Sequence, residues 1–221
     1  MLSGVLLSSL GALLALGGCT PPVPPTANAS LPANLQASPD EVLQEVATTS
    51  QGDERYICRR TPPSPASFAV PLPPGAAADG TQLFWEEDGS EAKLVDADGE
   101  GIGTVAPACH FLAYDGSYVV GTPFAQSQVK PDTLNWTRYT VKFVATPRRG
   151  DGRFANVSSI QRIDTTGGLP SQPECTQEGE HLYVPYQATY MIYRTKGQAP
   201  AAAVQPVPMP QPSSVAVLPT H

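Results

Sequence analysis

The chain has 221 residues, 25 prolines, 19 glycines and a formal net charge of −7 at pH 7. An acidic chain lacks the basic surface that phosphate contacts need, which argues against nucleic acid as a partner and against charge-driven adhesion to anionic lipid. Its histidines stand far apart at positions 110, 181 and 221, so neither a metal site nor a cofactor is expected.

An apolar run over residues 2–16 ends in Gly17-Gly18-Cys19. The run is shorter than the roughly 20 residues needed to cross a bilayer. Small residues directly before a cysteine resemble the lipobox of bacterial lipoproteins, which implies removal of residues 1–18 and diacylglyceryl modification of Cys19. A cleaved secretory signal peptide ending at the same glycines and an uncleaved anchor are the alternatives.

Lipid modification at Cys19 would place the protein in the bacterial cell envelope, with the membrane as a partner. Two or more acyl chains anchor a protein firmly. Thr20 stands where an aspartate would favour retention in the inner membrane, so an outer-membrane location is expected if the host is diderm. The proline-rich residues 19–32 predict an extended tether between the anchor and the folded domain.

The rest of the chain is dominated by short, β-rich apolar runs bounded by turn residues. We predict strands at residues 55–60, 82–86, 93–96, 117–121, 138–145, 155–164 and 187–194. Residues 33–196 are therefore expected to form a single, mainly β domain, an antiparallel β-sandwich or barrel with few or no helices. Residues 61–79 form a proline-rich insertion, and the uncharged residues 197–221 are expected to be a disordered tail.

Asp-Gly pairs at positions 88–89, 98–99 and 115–116, together with residues 150–152, predict hairpin turns. Before the first of these strands, Ser38-Pro39-Asp40-Glu41 is typical of a helix start. The same residues could equally form a turn into a strand, and both alternatives stay open.

Cys58, Cys109 and Cys175 remain once Cys19 is assigned to lipid. In an oxidising compartment, an odd number leaves one disulfide and one free thiol. Cys109 lies in a segment that predicts a buried strand, which favours a Cys58–Cys175 pair over the other pairings.

Several segments carry a family resemblance, namely LPANLQASPDEVL, ERYIC at 54–58, VVG at 119–121, FANVSSIQRIDTTGG at 154–168, and Cys175 followed by VPYQATYMIYR at 184–194. Over about residues 31–194 the chain resembles the domain-of-unknown-function 3455 family of bacteria and fungi. The resemblance implies that the cysteines at 58 and 175 recur, which supports their pairing. Residues 106–110 and the insertion depart from the family pattern. The family brings a fold unit and no established activity.

No motif predicts a catalytic residue: a Gly-x-Ser-x-Gly elbow, a phosphate loop leading into a helix and a complete calcium loop are all missing from the sequence. The aromatic residues suggest a ligand-binding cleft lined by Trp136, Tyr186 and Tyr190, with Arg162 as its polar anchor. Core packing is the alternative for these aromatic residues. In that case Asp164, on the same predicted face as Arg162, would be its ion-pair partner.

The sequence thus predicts a lipid-anchored cell-envelope protein with a non-catalytic binding or structural β domain. The alternative function is a small-molecule-binding barrel, or an enzyme without recognisable motifs, with a pocket near Arg162 and Tyr186. A deep pocket with two or more convergent titratable groups would contradict the first interpretation, and a filled core would contradict the alternative.

Overall fold

The computed structural model describes residues 26–60, 82–147 and 152–198. Their eight strands pair antiparallel in chain order and the last pairs with the first, so the sheet closes into a barrel. The strands are β1 (Glu41–Arg60), β2 (Leu83–Val95), β3 (Gly101–Ala106), β4 (His110–Ala113), β5 (Tyr118–Ser127), β6 (Trp136–Ala145), β7 (Val157–Gly167) and β8 (His181–Thr195). This confirms the mainly β, antiparallel, barrel-like domain.

The predictions for the signal peptide, Cys19, the insertion at 61–79 and the tail from residue 199 concern residues outside the described ranges. Among the described residues, none forms a helix long and apolar enough to cross a bilayer. Two short 3₁₀ turns, Asn28–Ser30 and Ala33–Leu35, precede the barrel.

The barrel has two ends that differ in the chain segments they carry. At the end that we call the loop end, β1, β3, β5 and β7 finish, and residues 107–109, 128–135 and 168–180 connect strands there. At the opposite turn end, residues 96–100 and 114–117 connect strands through tight turns. The predicted turns at 98–99 and 115–116 are both confirmed there, with Gly99 and Gly116 at positive φ.

The predicted hairpin turn at Asp88-Gly89 is wrong, because these residues lie inside the continuous strand β2. Arg55 pairs with Gly89 and Tyr56 pairs with Glu87, so Asp88 has no opposite residue and forms a β-bulge. Gly89 takes a φ of +100° there, a backbone conformation that glycine adopts without a steric penalty. The predicted strands at 82–86 and 93–96 are therefore two parts of one strand.

The helix alternative for residues 38–41 is also wrong, because strand β1 begins at Glu41. The segment makes a single turn, in which the Glu41 backbone amide donates to the Ser38 carbonyl at 2.9 Å. The Glu41 carboxylate accepts from the Ser38 amide at 2.8 Å, the reciprocal contact of a helix capping box. The turn does not continue, because pairing with β8 starts at Glu41 itself.

Apolar side chains from all around the sheet fill much of the barrel interior. The Phe111 ring packs edge-on against Tyr139 and Tyr190, with ring centroids 5.8 and 5.7 Å away. The buried members of this core are Ala47, Ala92, Leu94, Ile102, Val105, Phe111, Ala113, Val119, Leu134, Tyr139, Phe154, Val157, Ile160, Tyr186, Ala188, Tyr190 and Ile192.

Residues 26–40, which we call the N-terminal strap, pack on the outside of the barrel. The tether predicted over residues 19–32 is therefore wrong for residues 26–32. Thr26 donates to the Asp164 carboxylate from its amide at 2.9 Å and from its hydroxyl at 2.6 Å. Leu31 and Leu35 are buried in a second apolar cluster with Trp136, Ile163, Met191 and Tyr193. Residues 26–32 therefore belong to the folded domain together with residues 33–196, because the strap covers an apolar outer face of β6, β7 and β8.

A buried glutamine gives the strap its specific position. Gln161 lies on β7 under the strap, and its amide nitrogen donates to the Asn28 side chain and to the Leu35 carbonyl, both at 2.8 Å. Its amide oxygen accepts from the Tyr193 hydroxyl at 2.9 Å. Because the buried Gln161 amide bonds to the strap and to β8, it stabilises one arrangement of these two segments.

Leu35→Ala should lower the free energy of unfolding by about 2–4 kcal/mol, because it removes a fully buried side chain that joins the strap to the barrel. Urea unfolding of the full chain measures the change. Leu43→Ala is the matched control, since Leu43 is 41 % exposed and surface substitutions usually change stability by about 0.5 kcal/mol or less. Equal effects of the two variants would mean that the strap does not pack as described.

Candidate binding site at the loop end

The structure brings together three of the four residues predicted to line a cleft. Arg162 and Tyr190 pair directly across β7 and β8, and both are buried inside the barrel near Tyr186. Trp136 lies on the outer face, in the cluster beneath the strap. Trp136 is therefore not part of the same site as Arg162, Tyr186 and Tyr190.

Arg162 meets a carboxylate that the sequence did not indicate. Its Nη1 atom lies 3.5 Å from Oε2 of Glu54, and both side chains are almost completely buried. The Ser90 hydroxyl bridges the two groups, accepting from Arg162 Nη1 at 2.9 Å and donating to Glu54 Oε2 at 2.5 Å. The strands β1, β2 and β7 thus each contribute one member of a buried polar cluster.

The predicted partner of Arg162, Asp164, is wrong. Asp164 takes a positive φ of 51°, and the β7–β8 register shifts between Ile163 and Thr166. This bulge breaks the alternation of faces along β7, so the Asp164 carboxylate reaches the outside of the barrel. There it accepts both hydrogen bonds from Thr26.

The buried cluster leaves two polar atoms without hydrogen-bond partners. Arg162 donates through Nη2 to the Asn135 carbonyl at 3.3 Å, but its Nε atom has no partner, and neither has Oε1 of Glu54. Buried polar atoms without partners are uncommon in folded proteins, because each costs about 1–3 kcal/mol of desolvation. Two unpaired polar atoms in one buried cluster suggest a place for a further polar group.

Burial raises the pKa of Glu54 to about 8, against the lowering effects of the Arg162 guanidinium and the Ser90 hydroxyl. The nearby Glu87 charge raises the pKa of Glu54 further. The folded protein thus keeps a proton that the unfolded chain releases above its ordinary pKa near 4.5. The contribution of Glu54 to stability is present at low pH and is lost as the pH rises from about 4.5 to about 8.

Tyrosine hydroxyls surround the Arg162–Glu54 pair. The hydroxyls of Tyr186 and Tyr190 lie 2.9 Å apart, and the Tyr56 hydroxyl donates to the Gly168 carbonyl at 2.7 Å. Burial raises the pKa of Tyr190 well above its ordinary value and that of Tyr139 to about 12. These tyrosines are therefore neutral at physiological pH and can donate hydrogen bonds.

An open cleft of about 380 Å³ lies beside Tyr186. It forms where the β1–β8 register shifts between Thr48 and Asp53. Tyr186 lines the cleft, and its ring is so close to the backbone that a Cβ atom on Gly52 would lie 3.0 Å from Tyr186 Cε1. The residues lining the cleft are Ser50, Gln51, Gly52, Thr166, Gly167, Pro185, Tyr186 and Gln187. Tyr186 is thus shared between the cleft and the buried cluster.

The predicted disulfide is confirmed: Cys58 and Cys175 are bonded, with their Cα atoms 5.9 Å apart. It ties the end of β1 to the connection between β7 and β8. Cys109 is free and half-buried, but it lies in the β3–β4 turn with a φ of +60° rather than in a strand. Burial raises the pKa of its thiol, while the nearby Arg162 charge lowers it.

Across residues 26–60, 82–147 and 152–198, no three histidine, cysteine or acidic side chains converge in a way that could hold a metal ion. The site is instead built from one guanidinium, a carboxyl group whose pKa is raised by burial, and tyrosine and serine hydroxyls. Together, the fold and the site define a disulfide-bonded antiparallel β-barrel with a buried polar cluster near one end.

Residues 98–194 match the model of a family described as Protein of unknown function (DUF3455). The matched range includes Arg162, Tyr186 and Tyr190, whereas Glu54 and Ser90 lie before it. No curated protein and no solved structure shows significant similarity to the chain.

Proposed function

We propose that this chain is a lipid-anchored protein of the bacterial cell envelope, in the outer membrane if the host is diderm, and that its barrel binds a ligand without catalysing a reaction. The lipobox-like sequence before Cys19 supports the anchor. The Cys58–Cys175 bond supports the location, because stable disulfides form in oxidising compartments outside the cytoplasm.

Few residues separate Cys19 from the strap, so the proposed anchor would fix which end of the barrel lies near the membrane. Thr26 is held at Asp164, three residues before β7 finishes at the loop end. Seven residues of chain span at most about 25 Å, so the anchor would hold the loop end of the barrel close to the lipid surface. Both the buried cluster and the cleft lie toward this end.

One observation favours ligand binding over a purely structural role. The unpaired Arg162 Nε and Glu54 Oε1 atoms lie in one buried cluster, and Tyr186 connects this cluster to an open cleft. Packed apolar side chains fill much of the barrel interior, as they would in a purely structural barrel. The candidate site is therefore confined to the half of the barrel at the loop end. We therefore place small-molecule binding near Arg162 and Tyr186.

Cys19→Ser should move the protein from the membrane fraction to the soluble fraction and abolish incorporation of a labelled fatty acid, because it removes the only thiol that the lipobox-like sequence offers for acylation. Fractionation of cells expressing the full chain measures both results. Cys109→Ser is the matched control and should leave the protein in the membrane. Labelling or membrane retention of the Cys19→Ser variant would contradict the anchor.

A further inference from the structure

We propose that the cleft beside Tyr186 binds a neutral saccharide, whose hydroxyl groups are held by uncharged hydroxyl and amide side chains. The side chains that supply these groups are Ser50, Gln51, Thr166 and Gln187. This inference rests on the proposed binding function and names the class of its ligand. It follows from the way in which β1 and β8 separate and from the chemistry of the side chains that line the opening.

The cleft is an interruption in the pairing of β1 with β8. Regular pairing stops after Thr48 with Thr189 and resumes at Asp53 with Pro185, and the register shifts between these two pairs. Irregularities of this kind are common beside functional sites, because they redirect side chains or end the pairing of two strands.

Contacts on either side hold the opening in place. Gln51 remains paired with β2 and Gln187 remains paired with β7, so each strand keeps its other neighbour. Across the opening, the Ala188 amide donates to the Thr49 hydroxyl at 3.0 Å. The cleft is therefore part of the folded structure, as small-ligand sites usually are before the ligand binds.

The side chains that line the cleft are polar and uncharged. Ser50 and Thr166 supply hydroxyl groups. Gln51 and Gln187 supply carboxamide groups, and all four residues are exposed. Among the described residues, the side chains of Gln51, Thr166 and Gln187 have no hydrogen-bond partner. The Ser50 hydroxyl makes a long hydrogen bond to the Lys93 carbonyl, at 3.5 Å. These groups are therefore available to a ligand.

This lining disfavours both a charged and an apolar ligand. A charged ligand would exchange water for neutral side chains, without an opposite charge in the lining to compensate it. Asp53 and Lys93, which flank the lining on β1 and β2, carry opposite signs, so their effects on such a ligand oppose each other. An apolar ligand would leave the hydroxyl and amide groups without partners.

A sugar matches the groups that remain. Hydroxyl and carboxamide groups each donate and accept hydrogen bonds, and so do the hydroxyls around a sugar ring. Pro185 adds an apolar surface to the lining, against which the C–H groups of the ring can pack. The volume of about 380 Å³ lies near the lower end of the range for small-ligand sites. It suits a mono- or disaccharide, either free or at the end of a longer glycan.

The direct test follows the side-chain amide NMR signals of Gln51 and Gln187 in the full chain, held in micelles of a detergent without sugar groups. At least one of glucose, galactose, mannose and N-acetylglucosamine should shift both signals in a saturable way. Glucuronate and glucosamine, which carry a negative and a positive charge on a similar ring, should shift them less. Cyclohexanol, a ring of similar size with a single hydroxyl, should leave them unchanged.

The trisaccharide of the sugar that binds best distinguishes the two sources of such a ligand. Tighter binding of the trisaccharide would indicate the end of a glycan chain, and equal binding would indicate a free sugar. Both results support the ligand class.

Variants of the two glutamines test their roles. Gln51→Met and Gln187→Met should each weaken binding about two- to tenfold, the effect of losing one hydrogen bond, because methionine keeps the length of the side chain but not the amide. Binding by each variant is followed on the remaining glutamine signal. Gln126→Met is the matched control and should bind as the unmodified protein does, since Gln126 is exposed on β5 and lies outside the cleft lining.

The proposal is overturned if none of the four neutral sugars shifts the two signals, if cyclohexanol shifts them as strongly, or if Gln126→Met weakens binding as much as the cleft variants do. Stronger binding of a charged sugar than of the neutral ones would overturn the ligand class and keep the proposed binding function. These results leave the membrane anchor untouched, since fractionation of the Cys19→Ser variant tests the anchor by itself.

Discussion

Replacing both Cys58 and Cys175 by serine should lower the free energy of unfolding by about 4–5 kcal/mol. The bond closes a loop with a sequence separation of 117 residues, and in the chain-entropy model a loop of this length restricts the unfolded state by roughly that amount. The segment that follows β7 would lose its covalent link to β1, although backbone hydrogen bonds from Cys58 to Glu180 and from Gly179 to Cys58 remain.

Urea unfolding of the oxidised protein and of the double serine variant measures this difference through the midpoint and the slope. Cys109→Ser is the control, because Cys109 is free and only half-buried; its midpoint should stay close to that of the unmodified protein. A double variant with an unchanged midpoint would mean that the disulfide does not restrict the unfolded chain.

Arg162→Met should lower the free energy of unfolding by about 1–3 kcal/mol, the cost of leaving buried polar atoms without a partner. Ser90 loses the hydrogen bond from the guanidinium, and the Glu54 carboxyl group loses its contact with it. The effect stays below that of breaking a buried ion pair because Glu54 can remain protonated and so avoids a buried uncompensated charge.

A double-mutant cycle separates this pair from simple loss of packing. Glu54→Leu combined with Arg162→Met should recover much of the stability lost by Arg162→Met alone, because both polar partners are then replaced by apolar groups. Chemical denaturation of the four proteins at one pH gives the coupling free energy. Additive effects of the two substitutions would contradict a direct interaction between Glu54 and Arg162.

The barrel could be predicted from the sequence because its strands and tight turns leave local signals. The predicted strand at 138–145 and the Asp-Gly pairs at 98–99 and 115–116 correspond to observed elements. Bulges leave weaker signals, since they depend on how two strands pair. Asp88-Gly89 therefore suggested a hairpin turn, and Asp164 was placed on the wrong face.

The site was only partly predictable for a related reason. Arg162, Tyr186 and Tyr190 were predicted together, and the structure places them together. Glu54 lies in a charged run between Asp53 and Arg55 that is typical of a solvated segment, although it shares one face with Tyr56 and Cys58. Only closure of the barrel brings β1 and β7 close enough for Glu54 to meet Arg162.

Trp136 was predicted to line the cleft but lies on the outer face of the barrel. An alternating strand with one solvent-exposed face would place its tryptophan in the interior, but β6 is covered on its outer face by the strap. Residues 26–32 of the strap were interpreted as part of an extended tether because residues 19–32 are rich in proline. The contacts of Leu31 and Leu35 with the barrel depend on an apolar outer surface formed by three separate strands.

The most direct test of the buried cluster is the pH titration of the Glu54 carboxyl carbon, followed by NMR in the full chain and assigned with Glu54→Gln. We expect a midpoint near pH 8, because burial and the nearby Glu87 charge outweigh the Arg162 guanidinium and the Ser90 hydroxyl. A midpoint near the ordinary value of 4.5 would contradict the buried arrangement of Glu54 beside Arg162.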